Sequence, residues 1–141
     1  MPALLTWWKL DLAELAPGAH HDAVLAIGTD LERRWTEPHR GYHDTRHLLE
    51  VFWALEDLEA GHEITAREGA LARVAGWFHD AVYDPATPAG GNEADSADLA
   101  VRDLHALGLA AGDIEAVRDL VLATARHDLR AGGLSAAFHD A

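Results

Sequence analysis

The sequence predicts an all-α protein, a single-domain bundle of about six helices, and three observations carry that expectation. Apolar residues recur three and four positions apart along most of the chain, and alternation with a period of two is absent. Ala, Leu, Glu and Arg dominate while Val and Ile are sparse, a composition that favours helices over strands. The 141 residues, 49% apolar and 25% charged, suit one soluble globular domain spanning 1–141.

The elements follow from the punctuation. Leu4 to about Leu15 reads as the first helix, with Leu5, Trp8, Leu12 and Leu15 on one stripe, tryptophans that cap the core, and Pro17-Gly18 to end it. The second runs from Ala19 to Trp35 with Val24, Ile27, Leu31 and Trp35 inward. Pro38 then disfavours helical backbone for Glu37, and Gly41 permits a turn. Asp44 or Thr45 caps a third helix to about Leu58, whose Leu48, Val51, Phe52, Leu55 and Leu58 keep helical period. After a turn over 59–64, Thr65 and Glu68 form a capping box for a fourth helix that carries Leu71, Val74, Ala75 and Phe78 inward and ends near Val82. A Pro/Gly loop leads to a fifth helix from Asn92 to Leu107, closed by Gly108. A sixth runs from Asp113 to about His127 with Val117, Leu120, Val121 and Thr124 inside, and the pattern fades after Asp128.

Charge and composition narrow the function. Lys and Arg number 11 against 24 Asp and Glu, a net charge of −13 that repels a phosphate backbone at long range and argues against nucleic-acid binding. A small phosphate ester stays compatible, because a bound metal and one or two arginines reverse the local sign. With no cysteine, disulfides and thiolate sites are excluded, so any metal must use nitrogen and oxygen ligands. No apolar run approaches the roughly 20 residues of a membrane span. Residues 1–9 lack a basic n-region and cleavage pattern, so a cytoplasmic protein with no membrane partner is expected. A homodimer is left open.

The chain is organised around Trp77-Phe78-His79-Asp80-Ala81-Val82-Tyr83-Asp84-Pro85, which sets an imidazole beside a carboxylate at the end of an apolar helix. Burying an ionised carboxylate unpaired costs roughly several kcal/mol or more, so Asp80 must be protonated, hydrogen-bonded or bound to a cation. The cation fits best. An imidazole nitrogen and a carboxylate oxygen suit Mn²⁺, Fe²⁺, Co²⁺, Ni²⁺ or Zn²⁺, and Mg²⁺ stays within the candidate range. In Tyr42-His43-Asp44-Thr45-Arg46-His47 two histidines lie four apart, which puts both on one helix face. His47, deeper in the helix and followed by Leu48, Val51 and Phe52, is the better ligand candidate, although such a pair taken alone is more often an ordinary surface pair. Arg40 and Tyr42 add a cation and a phenol just before it. Glu93 is either a pocket acid or a first-turn glutamate placed by the helix dipole, and His127 has a similar bland alternative at a helix end. His20, His21, His62 and His105 read as solvated, and His139 is undecided.

Taken together, residues 37–47, 77–84, 92–97 and 123–127 resemble, in order and spacing, a family of predicted metal-dependent phosphohydrolases of the HD superfamily, over essentially the whole chain. The resemblance implies an HD-domain-like helical fold around a metal held by a His, a His-Asp doublet and a later Asp. Carried over, His47 looks like the first ligand and His79 and Asp80 like the doublet. The family's late motif resembles Asp-Ala-Asp-Leu, whereas this chain reads Phe138-His139-Asp140-Ala141; Asp140 is the candidate last ligand, and the family's final C-terminal segment is expected to be lacking. His43, Glu93 and His127 match positions lining the same pocket, either behind the ligands or as ligands of a second metal, and Arg40 and Arg46 suit a phosphate, since a guanidinium holds two oxygens at once. The implied activity is hydrolysis of a small phosphate ester, with nucleotides among the candidates. Asp80 or Glu93 would accept a proton and Arg40 would neutralise charge. The alternative is a non-catalytic sensor module that binds metal and nucleotide with an incomplete final motif.

Overall fold

In the computed structural model, residues 2–36, 45–79, 81–82 and 91–126 are described, with side chains for all of these except 2, 3, 45–47 and 124–126. They form six helices: α1 (Pro2–Leu15), α2 (His21–Trp35), α3 (Thr45–Ala60), α4 (Ala66–His79), α5 (Gly91–Ala106) and α6 (Ala111–Arg126). No strand occurs among the described residues, so the fold is the all-α bundle expected. None of these helices is long and apolar enough to cross a membrane.

Local chemistry sets the ends. Thr65 Oγ1 accepts from the Glu68 N–H at 3.1 Å while Glu68 Oε1 accepts from the Thr65 N–H at 2.9 Å, the reciprocal capping box that starts α4. Gly108 adopts φ +81 after α5, and the Leu109 N–H reaches back to the Leu104 carbonyl at 3.2 Å, a helix stop in which glycine avoids the left-handed penalty. Among the boundaries that differ from expectation, three have a local cause. His20, exposed as predicted, lends Nδ1 to the Asp22 N–H at 3.2 Å, so α2 begins at His21 rather than Ala19. Helix α4 ends at His79 rather than Val82, because the Ala81 N–H turns back to the Phe78 carbonyl at 3.0 Å in a tighter loop. Helix α6 begins at Ala111 rather than Asp113, since the Asp113 and Ile114 N–H groups both bond to the Ala110 carbonyl.

Helix α4 is the axis of the bundle. Every residue from Gly69 to His79 except Leu71 is buried, as befits a helix enclosed on all sides by α1, α3, α5 and α6. Aromatic rings fill the junction with α1 and α3: Trp8 meets Trp77 at 5.9 Å and Phe78 at 6.1 Å, and Phe52 meets Trp77 at 5.9 Å and Trp7 at 5.0 Å, all edge to face. The Trp8 indole N–H donates to the Val24 carbonyl at 2.7 Å. It can reach that carbonyl because α2 carries Gly28 there, where a Cβ would lie 2.5 Å from Trp8 Cδ1.

One charge sits inside this apolar helix. Arg73 donates through Nε and one Nη to both Asp11 carboxylate oxygens at 2.8 and 2.9 Å, and through its other Nη to Glu59 at 2.9 Å. A single guanidinium thereby ties α4 to α1 and α3. Burial pushes the Asp11 carboxyl above its ordinary value, and the Arg73 hydrogen bonds offset part of that rise.

Candidate functional site

Of the predicted ligands, the one whose side chain is described is His79, the last residue of α4, buried at 6% exposure. Its Nδ1 lies 2.7 Å from the Gly76 carbonyl oxygen. A carbonyl can only accept, so Nδ1 carries the proton and the lone pair of the neutral ring belongs to Nε2. A backbone carbonyl thus fixes the ring from behind and sets its tautomer. Trp35, wholly buried at the end of α2, packs against the imidazole with centroids 5.4 Å apart and planes at 45°. Its own indole N–H donates to the Trp77 carbonyl at 2.8 Å, so the C-terminal end of α2 is fastened to that of α4.

Packing brings the other relevant helix ends to the same level. On α3, Phe52 faces Trp77 and Glu59 faces Gly69, so the two helices run antiparallel with nearly equal steps. Continued five residues back from Phe52, this register sets the His47 backbone level with the turn at 81–82. On α6, Asp113 pairs with Arg67 near the start of α4, and the two helices pack along each other. Twelve residues onward in each, at about 1.5 Å per residue, Ala125 stands level with His79. On α5, Ser96 Oγ accepts from the Val82 N–H at 3.0 Å and donates to the Val82 carbonyl at 3.3 Å. Glu93, half-buried, lies one turn before Ser96 on the same face. The C-terminal ends of α2, α4 and α6 and the N-terminal ends of α3 and α5 thus share one end of the bundle.

The structure therefore places His79, the Glu93 turn and the first turn of α3, with the backbone of Arg46 and His47, at one end of the bundle. Arg40, His43, Asp80, His127 and Asp140 lie outside the described residues, as do Tyr42 and His139. Among the described residues no group of three or more His, Cys, Asp or Glu could hold a metal. Two surface hollows, of about 140 and about 490 Å³, open in the α1–α2 and α3–α4 turns at the opposite end of the bundle. Neither touches the His79 corner.

Sequence reasoning missed Trp35 and Ser96 as parts of this corner. Trp35 stood only as the last member of an apolar stripe. Ser96 did carry a signal: a small hydroxyl one turn after Glu93, beside Ala97, on a helix face that must be buried. A serine buried there needs a partner for its hydroxyl.

No protein-family model, curated protein or solved structure matches the chain.

Proposed function

We propose that the chain is a cytoplasmic, metal-dependent phosphohydrolase of the HD superfamily that acts on a small phosphate ester, with nucleotides among its candidate substrates. The observation that carries the reading is the buried His79, whose Nδ1–H is committed to the Gly76 carbonyl at 2.7 Å so that Nε2 holds the lone pair a metal would use. The donor chemistry fits a divalent cation, for which the ligands would be His47, His79, Asp80 and Asp140. When bound, such an ion supplies Lewis acidity to the attacking water and to the phosphoryl oxygen.

The remaining work falls to side chains of this chain. Asp80 or Glu93 accepts the proton of the attacking water, and the half-buried setting of Glu93 near the corner suits that task. Arg40 and Arg46 hold the phosphate and neutralise the charge that grows on it, with His43 and His127 lining the same pocket.

The test is turnover on a panel of phosphomonoesters, phosphodiesters and nucleotides with Mn²⁺, Fe²⁺, Co²⁺, Ni²⁺, Zn²⁺ and Mg²⁺ supplied in turn. Turnover by wild type that is abolished in His79→Ala and in Asp80→Ala is the expected result. Tight binding of metal and nucleotide with no turnover of any ester would establish the sensor reading instead, and absence of both would overturn the proposal.

A further inference from the structure

We infer that Ser96 is a positioning residue for the His79-Asp80 corner, locking it to the turn of α5 that carries Glu93; this rests on the metal-site reading above. Ser96 is wholly buried, and its hydroxyl satisfies both main-chain groups of Val82, accepting from the N–H at 3.0 Å and donating to the carbonyl at 3.3 Å. Groups just past a helix end have lost their intrahelical partners, so a side chain that supplies both bonds fixes the path of the chain there. Val82 is two residues beyond Asp80. On the other side of the corner, the Trp77 carbonyl is held by the Trp35 indole at 2.8 Å. The segment from Trp77 to Val82 is therefore pinned at both ends, with the His-Asp doublet between the pins.

Packing alone does not call for a serine at this position. Its buried neighbours on the same helix are Ala97, Leu99 and Ala100, and alanine would fill nearly the same volume with better helix propensity. What only the hydroxyl supplies is the link to Val82. Because Glu93 sits one turn earlier on the same face, that link also sets the distance between the candidate general base and the corner. Hydrogen-bond partners of metal ligands typically contribute about 10–100-fold to metal affinity, and Ser96 acts one step further out, through the backbone that carries the doublet.

The experiment compares wild type with Ser96→Ala and with Ser96→Cys, which keeps the shape in a somewhat larger side chain but not a strong hydrogen bond. Calorimetric Mn²⁺ affinity is read alongside amide hydrogen exchange of the metal-free proteins. Both variants should bind Mn²⁺ about 10–100-fold more weakly. The Val82 amide should exchange at least about tenfold faster, while Val74 in the middle of α4 keeps its protection. Affinity equal to that of a metal-binding wild type overturns the inference and leaves the functional reading intact. Protection lost evenly along α4 also overturns it, since that marks general destabilisation. A wild type that takes up none of the divalent ions overturns the functional reading and this inference with it.

Discussion

Arg73→Met removes the cation at the centre of the bundle and leaves Asp11, at 4% exposure, without its two hydrogen bonds. Stripping one partner from a buried ion pair costs about 3–5 kcal/mol, because the surviving charge stays desolvated. For a domain of this size about 1 kcal/mol moves Tm by roughly 3 °C, so differential scanning calorimetry at neutral pH should record a fall of about 9–15 °C. The pH dependence identifies the cause. Burial already raises the Asp11 carboxyl above its ordinary 3.8, and Arg73 supplies the opposing pull; without it the carboxyl rises further. A raised carboxyl is a penalty present above its folded-state pKa and absent below its unfolded-state pKa, so the gap between variant and wild type must narrow as the pH falls toward 3.8. Asp11→Leu combined with Arg73→Met should recover much of the loss, since a well-packed apolar replacement of a buried pair is often neutral or stabilising. A fall of less than about 3 °C, or a gap that ignores pH, would refute the reasoning.

Gly28→Ala should destabilise by about 1–3 kcal/mol through overpacking, since the new methyl would meet the immobile Trp8 indole at 2.5 Å; an unchanged urea midpoint would contradict this. His62 holds φ 60 in the turn after α3, a left-handed conformation that costs a side-chain-bearing residue about 1–2 kcal/mol. His62→Gly should therefore stabilise by about 0.5–1 kcal/mol after glycine's extra chain entropy is deducted, as read by the same denaturation. Burial raises the Asp103 carboxyl above its ordinary value, with Arg102 offsetting part of the rise. Asp103→Asn should thus raise Tm at neutral pH, with the advantage shrinking as the pH falls toward 3.8, and a lowered Tm at neutral pH would count against it.

What the sequence disclosed divides by distance along the chain. The Thr65-Glu68 box and the Gly108 stop were legible because each partner lies within a few residues and its chemistry names its position. Arg73 drew no reading from the sequence. A lone arginine in the run from Ala70 to Phe78 had to find an anion, but Asp11 lies 62 residues away and no spacing rule points to it. The corner behaves likewise. His79 at the end of an apolar helix could be read directly, whereas the Gly76 carbonyl, the Trp35 ring and the Ser96 hydroxyl that hold its surroundings act through backbone groups and faces that exist only once the helices have packed. The early end of α4 belongs to the same class, because Val82, just past it, is held by the Ser96 hydroxyl of α5, which no local apolar pattern announces.

The proposed function requires an ion at the end of α4 with His79 as one of its ligands. Elemental analysis of untagged protein, equilibrated with a mixture of divalent ions and then desalted, tests it most directly. About one bound ion per chain is expected in wild type and none in His79→Ala, with the helical circular dichroism of both unchanged. Metal-free wild type, or equal metal content in the variant, would contradict it.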